Sequence, residues 1–257
     1  MSQQTRSRPS NPFYQLLSAT AFSSLHYPAI RIQSMLQTYY GYSSINPELK
    51  LRGLLSSANH AIGDTMKGLF RGLSFYASYN VVKTLVFSFY GKFMGFSTFE
   101  NGVQGFMHSA VATFLATASA YPFELMQIRS ASLINSTNPT QVLNYQDTVK
   151  TFAHSSNWIG YPLAYSRYMI LFSTINMYVS GWNPIIPSLI ALSGVPLDVV
   201  RRNLVMIQWE KGLPYKNALE CTKYLVETHG YRSLFRGIIL YPEIYLMSVM
   251  ILSLKNN

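Results

Sequence analysis

Val195-Pro196-Leu197-Asp198-Val199-Val200-Arg201-Arg202 is the most telling stretch of this 257-residue chain, and Ser233-Leu234-Phe235-Arg236-Gly237 answers it downstream. A proline, an acid two residues on and a base three beyond that sit inside an apolar segment. Asp198 and Arg201 are three apart, so a helix places them on one face as a local pair. A short amphipathic stretch follows, then an aromatic-Arg-Gly turn, then another apolar segment.

The same order of features occurs three times. Tyr27-Pro28, Tyr121-Pro122 and Val195-Pro196 each lie late in an apolar segment, followed by the helix-compatible runs AIRIQSMLQ, FELMQIRSA and LDVVRRNLV. A polar stretch ending in glycine comes next: Gly68-Leu69-Phe70-Arg71-Gly72, Asn157-Trp158-Ile159-Gly160 and Leu234-Phe235-Arg236-Gly237. Each unit therefore reads as long helix, short amphipathic helix, long helix. The chain is expected to be one domain, with repeats over 1–97, 98–181 and 182–257, the second having the shortest stretch from its proline to its glycine (Pro122 to Gly160). Pro28, Pro122 and Pro196 lack an amide donor and should kink their helices.

Composition decides the expected solvent. Only 12% of the residues are charged, about half the usual share of a soluble domain, while 49% are hydrophobic. The runs 9–30, 101–123 and 168–197 carry no Asp, Glu, Lys or Arg. Residues 72–91 carry only Lys83, and 237–254 only Glu243. Such lengths match the roughly 20 residues that a bilayer requires. The reading is an all-α membrane protein with six transmembrane helices at 11–38, 73–94, 103–130, 162–181, 185–208 and 238–255. Ser, Thr, Tyr, Asn and His interrupt these runs, which accounts for a mean hydropathy of only +0.11.

The net charge of +10 raises nucleic acid as a partner, but the bases are scattered and no nucleic-acid motif is present. Bases near span ends, facing anionic lipid headgroups, account for the charge better. Cys221 is the one cysteine and reads as a small apolar filler. The histidines at 26, 60, 108, 154 and 229 show no metal spacing, and no nucleophile-base arrangement stands out. Neither an enzyme nor a metal site is expected.

With PLDVVRRN, Tyr215-Lys216-Asn217-Ala218, Glu227-Thr228-His229-Gly230 and LFRG in order, and Arg52-Gly53-Leu54-Leu55 in the first repeat, the chain resembles the mitochondrial carrier family. That resemblance implies a six-helix bundle with threefold pseudosymmetry and short helices on the matrix side, placed as a multi-pass protein in the mitochondrial inner membrane. It further implies a matrix gate built from a Pro-x-acid-x-x-base pattern in each repeat. Mapped onto this chain, Asp198 and Arg201 match fully, Glu124 matches the acidic position of the second repeat while Gln127 holds its basic position, and Ile30 and Gln33 hold both positions of the first repeat. By the family's pairing Glu124 would meet Arg201, Asp198 would face Gln33, and Ile30 would face Gln127. Gln37 matches a glutamine that braces the ring. The opposite gate lacks acids in 89–93, 176–181 and 250–255.

The family's substrate positions fall on Tyr79, on Arg167 with Tyr168, and on Ile244, with Glu243 the candidate partner of Arg167. The pairs Arg71-Gly72 and Arg236-Gly237 resemble its cardiolipin sites, where free amides at a helix start receive a phosphate. Bound cardiolipin is the one expected ligand. Two functions compete. One is a non-transporting accessory subunit of a respiratory-chain or ATP synthase assembly, in contact with other inner-membrane subunits and lipids. The other is an active carrier exchanging a small anionic metabolite by alternating access. The missing acids, the depleted matrix ring and Ile244 favour the first.

Overall fold

The computed structural model describes residues 12–45, 56–59, 69–94, 103–132, 155–179, 182–183, 185–206 and 213–241. These form α1 (Pro12–Ile45), α2 (Leu73–Met94), α3 (Val103–Ser132), α4 (Tyr161–Val179), α5 (Ile185–Ser193), α6 (Val195–Met206) and α7 (Ala218–His229). Short 3-10 segments stand at Ser155–Gly160, Tyr231–Phe235 and Ile238–Leu240.

Local chemistry sets several boundaries. Asn217 caps α7: its side chain accepts from the amide of Glu220 at 2.9 Å, and the Glu220 carboxylate accepts from the amide of Lys216 at 2.8 Å. One free donor of the first turn and the amide just before the cap are thus occupied. Gly230 closes α7 at φ 75, a conformation that costs glycine nothing. Pro28 and Pro122 lie inside α1 and α3, as the proline pattern requires. Pro196 does something else. It stands in the first turn of α6, where a missing amide is harmless, and the chain breaks just before it at Gly194.

α2 packs along α3 and against α1, α4 lies against α3, α5 and α6, and α6 also meets α1, α3 and α7. Small buried side chains on α3, among them Ser109, Ala112, Ala116 and Ala120, allow close helix approach. Tyr161 and Tyr165 of α4 donate to the carbonyls of Phe114 and Ala110 on α3. The main core joins Val195, Val199, Val200 and Leu204 of α6 to Tyr215, Cys221 and Leu225, with Tyr241 closing over them. A second cluster joins Tyr121, Leu125 and Ile128 of α3 to Ala164 of α4 and Val205 of α6. Cys221 is fully buried, and burial raises its thiol to about 12, so the filler role fits its surroundings.

The expectation of six transmembrane helices is overturned. Among the described residues no helix is long and apolar enough to cross a membrane. The lengths of α1, α2 and α3 would suffice at 34, 22 and 30 residues. Their composition does not, because serine, threonine, tyrosine and asparagine break up every apolar run, and Lys83 and Lys92 lie within α2. The expected kinked span at 185–208 is two helices of 9 and 12 residues, separated at Gly194. The expected span at 238–255 opens as a 3-10 turn, and its remainder from 242 onward lies outside the described residues. A charge-free run was taken for an apolar one, and the two differ by the polar uncharged residues within it. The same finding argues against the multi-pass placement.

Candidate functional site

The distinctive chemistry lies where α6 meets α1, α3 and α4. Asp198 is three residues before Arg201 and four before Arg202, so one helix face carries all three. Asp198 accepts from Arg201 Nε at 3.0 Å through Oδ1 and from Arg202 Nε at 3.1 Å through Oδ2. Arg201 also pairs with Glu124, which α3 presents two residues after Pro122. All four groups are buried. Hydroxyls complete the cluster: Tyr168 of α4 donates to Glu124 Oε1 at 2.9 Å, and Tyr241 donates to Asp198 Oδ2 at 2.6 Å. Gln37 of α1 donates to the Tyr241 hydroxyl at 2.9 Å. Arg202 reaches Ser34 of α1 through Nη1.

The electrostatics follow from this arrangement. Burial by itself pushes Asp198 up, but Arg202, then Arg201 and Arg167, hold it well below the usual carboxylate range. Burial works against the charge on Arg201, and Glu124 and Asp198 reverse it, leaving its pKa well above the ordinary value. A buried ion group satisfied on this scale is stable only while every member is present.

Beside the cluster is a cavity of about 270 Å³ lined by Tyr76, Tyr79, Lys83, Arg167, Tyr168 and Leu171, with the charged groups and Gln33, Gln127 and Ile30 completing its wall. Lys83 Nζ sits 3.6 Å from the centroid of the Tyr168 ring and donates to the Tyr79 hydroxyl at 3.3 Å. Burial lowers Lys83 to about 8, with Glu124 opposing and Arg201 and Arg167 adding to the effect. Arg167 Nη1 donates to the Ala191 carbonyl at 3.4 Å, and its guanidinium lies 5.3 Å from the Tyr241 ring. It passes over Gly194, where a Cβ would stand 2.9 Å from Arg167 Cδ. Gly194 thus breaks the α5–α6 helix and makes room for the arginine in one position.

The structure brings together Tyr79, Glu124, Gln127, Gln33, Arg167, Tyr168, Asp198 and Arg201 around this cavity. Glu124 meets Arg201. Asp198, expected to face Gln33 without a base, instead has two bases from its own helix. Glu243 and Ile244 lie outside the described residues; among the described residues Arg167 meets the Ala191 carbonyl and the Tyr241 ring. Arg71 uses its carbonyl to accept from Tyr27 at 2.5 Å, and Gly72 starts α2 at φ 90. The Arg236 guanidinium stacks 4.3 Å from both Tyr39 and Tyr40. Gly237, at φ 77, is followed by a 3-10 turn over Ile238–Leu240, and the chain from 242 onward lies outside the described residues. At the far end of α2, Phe89 and Phe93 are exposed and stacked on one another. The expected-gate residues 250–255 lie outside the described residues.

Sequence reasoning missed Arg202, Ser34, Asn203 and Tyr241. The signal for Arg202 was available as a four-residue spacing from Asp198. Nothing local announces Ser34 or Tyr241, which are joined to α6 across the fold. Among the described residues no group of His, Cys, Asp and Glu could hold a metal. No protein-family model matches the chain, and no curated protein matches it.

Proposed function

We propose that this chain is a carrier-like protein that no longer transports and serves as an accessory, structural subunit of a larger assembly at the mitochondrial inner membrane, of the respiratory chain or the ATP synthase. The observation that carries this reading is the charge cluster itself. Asp198, Arg201, Arg202 and Glu124 pair with one another inside the bundle, and Tyr168 and Tyr241 donate to the two carboxylates, leaving Glu124 Oε2 without a partner among the described residues. A gate must exchange such bonds for others of similar strength, and a set closed on itself favours one fixed arrangement. Large apolar side chains left on the outside of α2, α3 and α5 supply surface for neighbouring subunits: Leu85, Phe89 and Phe93, Phe106, Phe114, and Ile185 with Leu189. Anionic lipid such as cardiolipin fits the reading as a ligand at the start of α2, where Arg71 and Gly72 stand.

Exchange of a small anionic metabolite is favoured by one observation. Among the described residues the cavity wall holds Lys83, Arg167, Arg201 and Arg202 against Glu124 and Asp198. That surplus draws anions, but transport also needs a path across a bilayer, and the described helices do not provide one.

Native gel electrophoresis of gently solubilised mitochondria separates the two readings. The chain is expected to migrate with a large assembly and to co-purify with its subunits at constant stoichiometry. Migration as a free species of monomer size, together with anion exchange in reconstituted vesicles that Arg167→Ala abolishes, would overturn the proposal.

A further inference from the structure

We propose that Arg202 is the residue that locks α6 to α1, doing from within α6 what a base on α1 would otherwise do. The inference concerns the bundle alone and stands or falls apart from any partner assembly.

Three consecutive side chains of α6 leave it in different directions. Arg201 goes to Glu124 on α3, Arg202 to Ser34 on α1, and Asn203 Nδ2 donates at 2.9 Å to the Gln37 carbonyl on α1. Asn203 also accepts from Tyr215 at 3.3 Å, which fixes its orientation. On the α1 side, the Gln33 amide nitrogen is buried without a hydrogen-bond partner among the described residues. Gln33 therefore supplies no bond to α6 through that atom. The α1–α6 seam is therefore carried by Arg202–Ser34, Asn203–Gln37 and the Gln37–Tyr241–Asp198 chain. Arg202 is the one charged member of this seam that reaches α1 directly, and its other end is held by Asp198 on its own helix. Its fork spans both contacts at once, which a single ammonium cannot do. With both bases of Asp198 in α6, moving α1 away releases no carboxylate to find a new partner. It strands the outer half of a buried guanidinium, while Ser34 keeps its bond to the Ile30 carbonyl, and such loss of a charged hydrogen bond disfavours opening. Ile30 lies one turn before Ser34 on the same helix and lines the cavity, so it reports whether α1 has moved.

The test uses two thiols in one molecule. Ile30→Cys is introduced beside the native Cys221, which is fully buried in the α6–α7 core and serves as an internal reference. Labelling by a water-soluble maleimide is followed at each site by mass spectrometry in intact protein. Arg202→Gln is expected to raise the rate at position 30 at least tenfold and to leave Cys221 unlabelled on that timescale. Arg202→Lys should fall between. Should Arg202→Gln fail to fold, Ser34→Ala, which removes only the α1 end of the bond, decides by the same criterion with an expected rise of at least threefold. An unchanged rate at position 30 overturns the proposal. So does a parallel rise at both thiols, which marks general loosening rather than release of one seam.

Discussion

Lys83 shows how one residue can carry an electrostatic cost that its neighbours only partly relieve. It enters the cavity from α2 over the face of Tyr168, near Arg167 and Arg201, with Glu124 the acid that raises its pKa. Its folded pKa, about 8, is below the ordinary lysine value near 10.4. Between those values the unfolded chain binds more protons than the folded one, so this group's contribution to stability rises with pH across that window. Replacing Lys83 by methionine should therefore stabilise the protein at pH 7 by about 1 kcal/mol, allowing for solvent screening of a half-buried group. The gain should shrink as the pH is raised from 8 to 10. Urea denaturation of both proteins across that range checks the sign. Asp198 and Arg201 were legible as a pair because their spacing is local. Arg202 was passed over because no template assigned that position a role, although the same local arithmetic places it beside Asp198.

At the scale of elements, legibility followed the range of the determining interaction. The beginnings and ends of α2, α3 and α4 lie close to where charge and glycine signals put them. α7 is set by its own first residues, and Asn217→Ala should cost about 1 kcal/mol by removing the acceptor for the Glu220 amide. Thermal unfolding monitored at the α7 core checks this, and a loss below a few tenths of a kcal/mol would mean the neighbouring contacts suffice. The break between α5 and α6 was not legible. A proline inside an apolar run reads equally as a kink or as the first turn of a new helix. Tertiary contact with Arg167 over Gly194 selects the second. Whether the uncharged runs were apolar enough for lipid depended on summing many small polar contributions, and counting charges alone does not perform that sum.

For the whole molecule, the fold rests on a buried charge cluster as much as on its apolar cores. Asp198 is held below the usual carboxylate range, so its contribution is complete above the unfolded value near pH 4 and is lost as the pH falls further. The denaturation midpoint should thus vary little on this account between pH 7 and pH 5, and fall progressively as the pH is lowered below 4. A gradual decline beginning near pH 6 would mean that other groups govern acid stability. Function was the least legible level. The resemblance to carriers rested on motifs local in sequence and implied membrane-crossing helices, and no described helix is long and apolar enough to be one, while the cluster that bears on function depends on contacts between distant parts of the chain.

The three outward directions of Arg201, Arg202 and Asn203 also constrain how this gene can drift. Successive helical residues point roughly 100° apart. Inserting or deleting a single codon between Asp198 and Arg201 would turn all three side chains away from their targets together, whereas most single substitutions disturb only one. Homologous sequences should therefore tolerate substitutions at α6 positions outside this set before they tolerate any change in its length, and indels should collect in the connections that flank it.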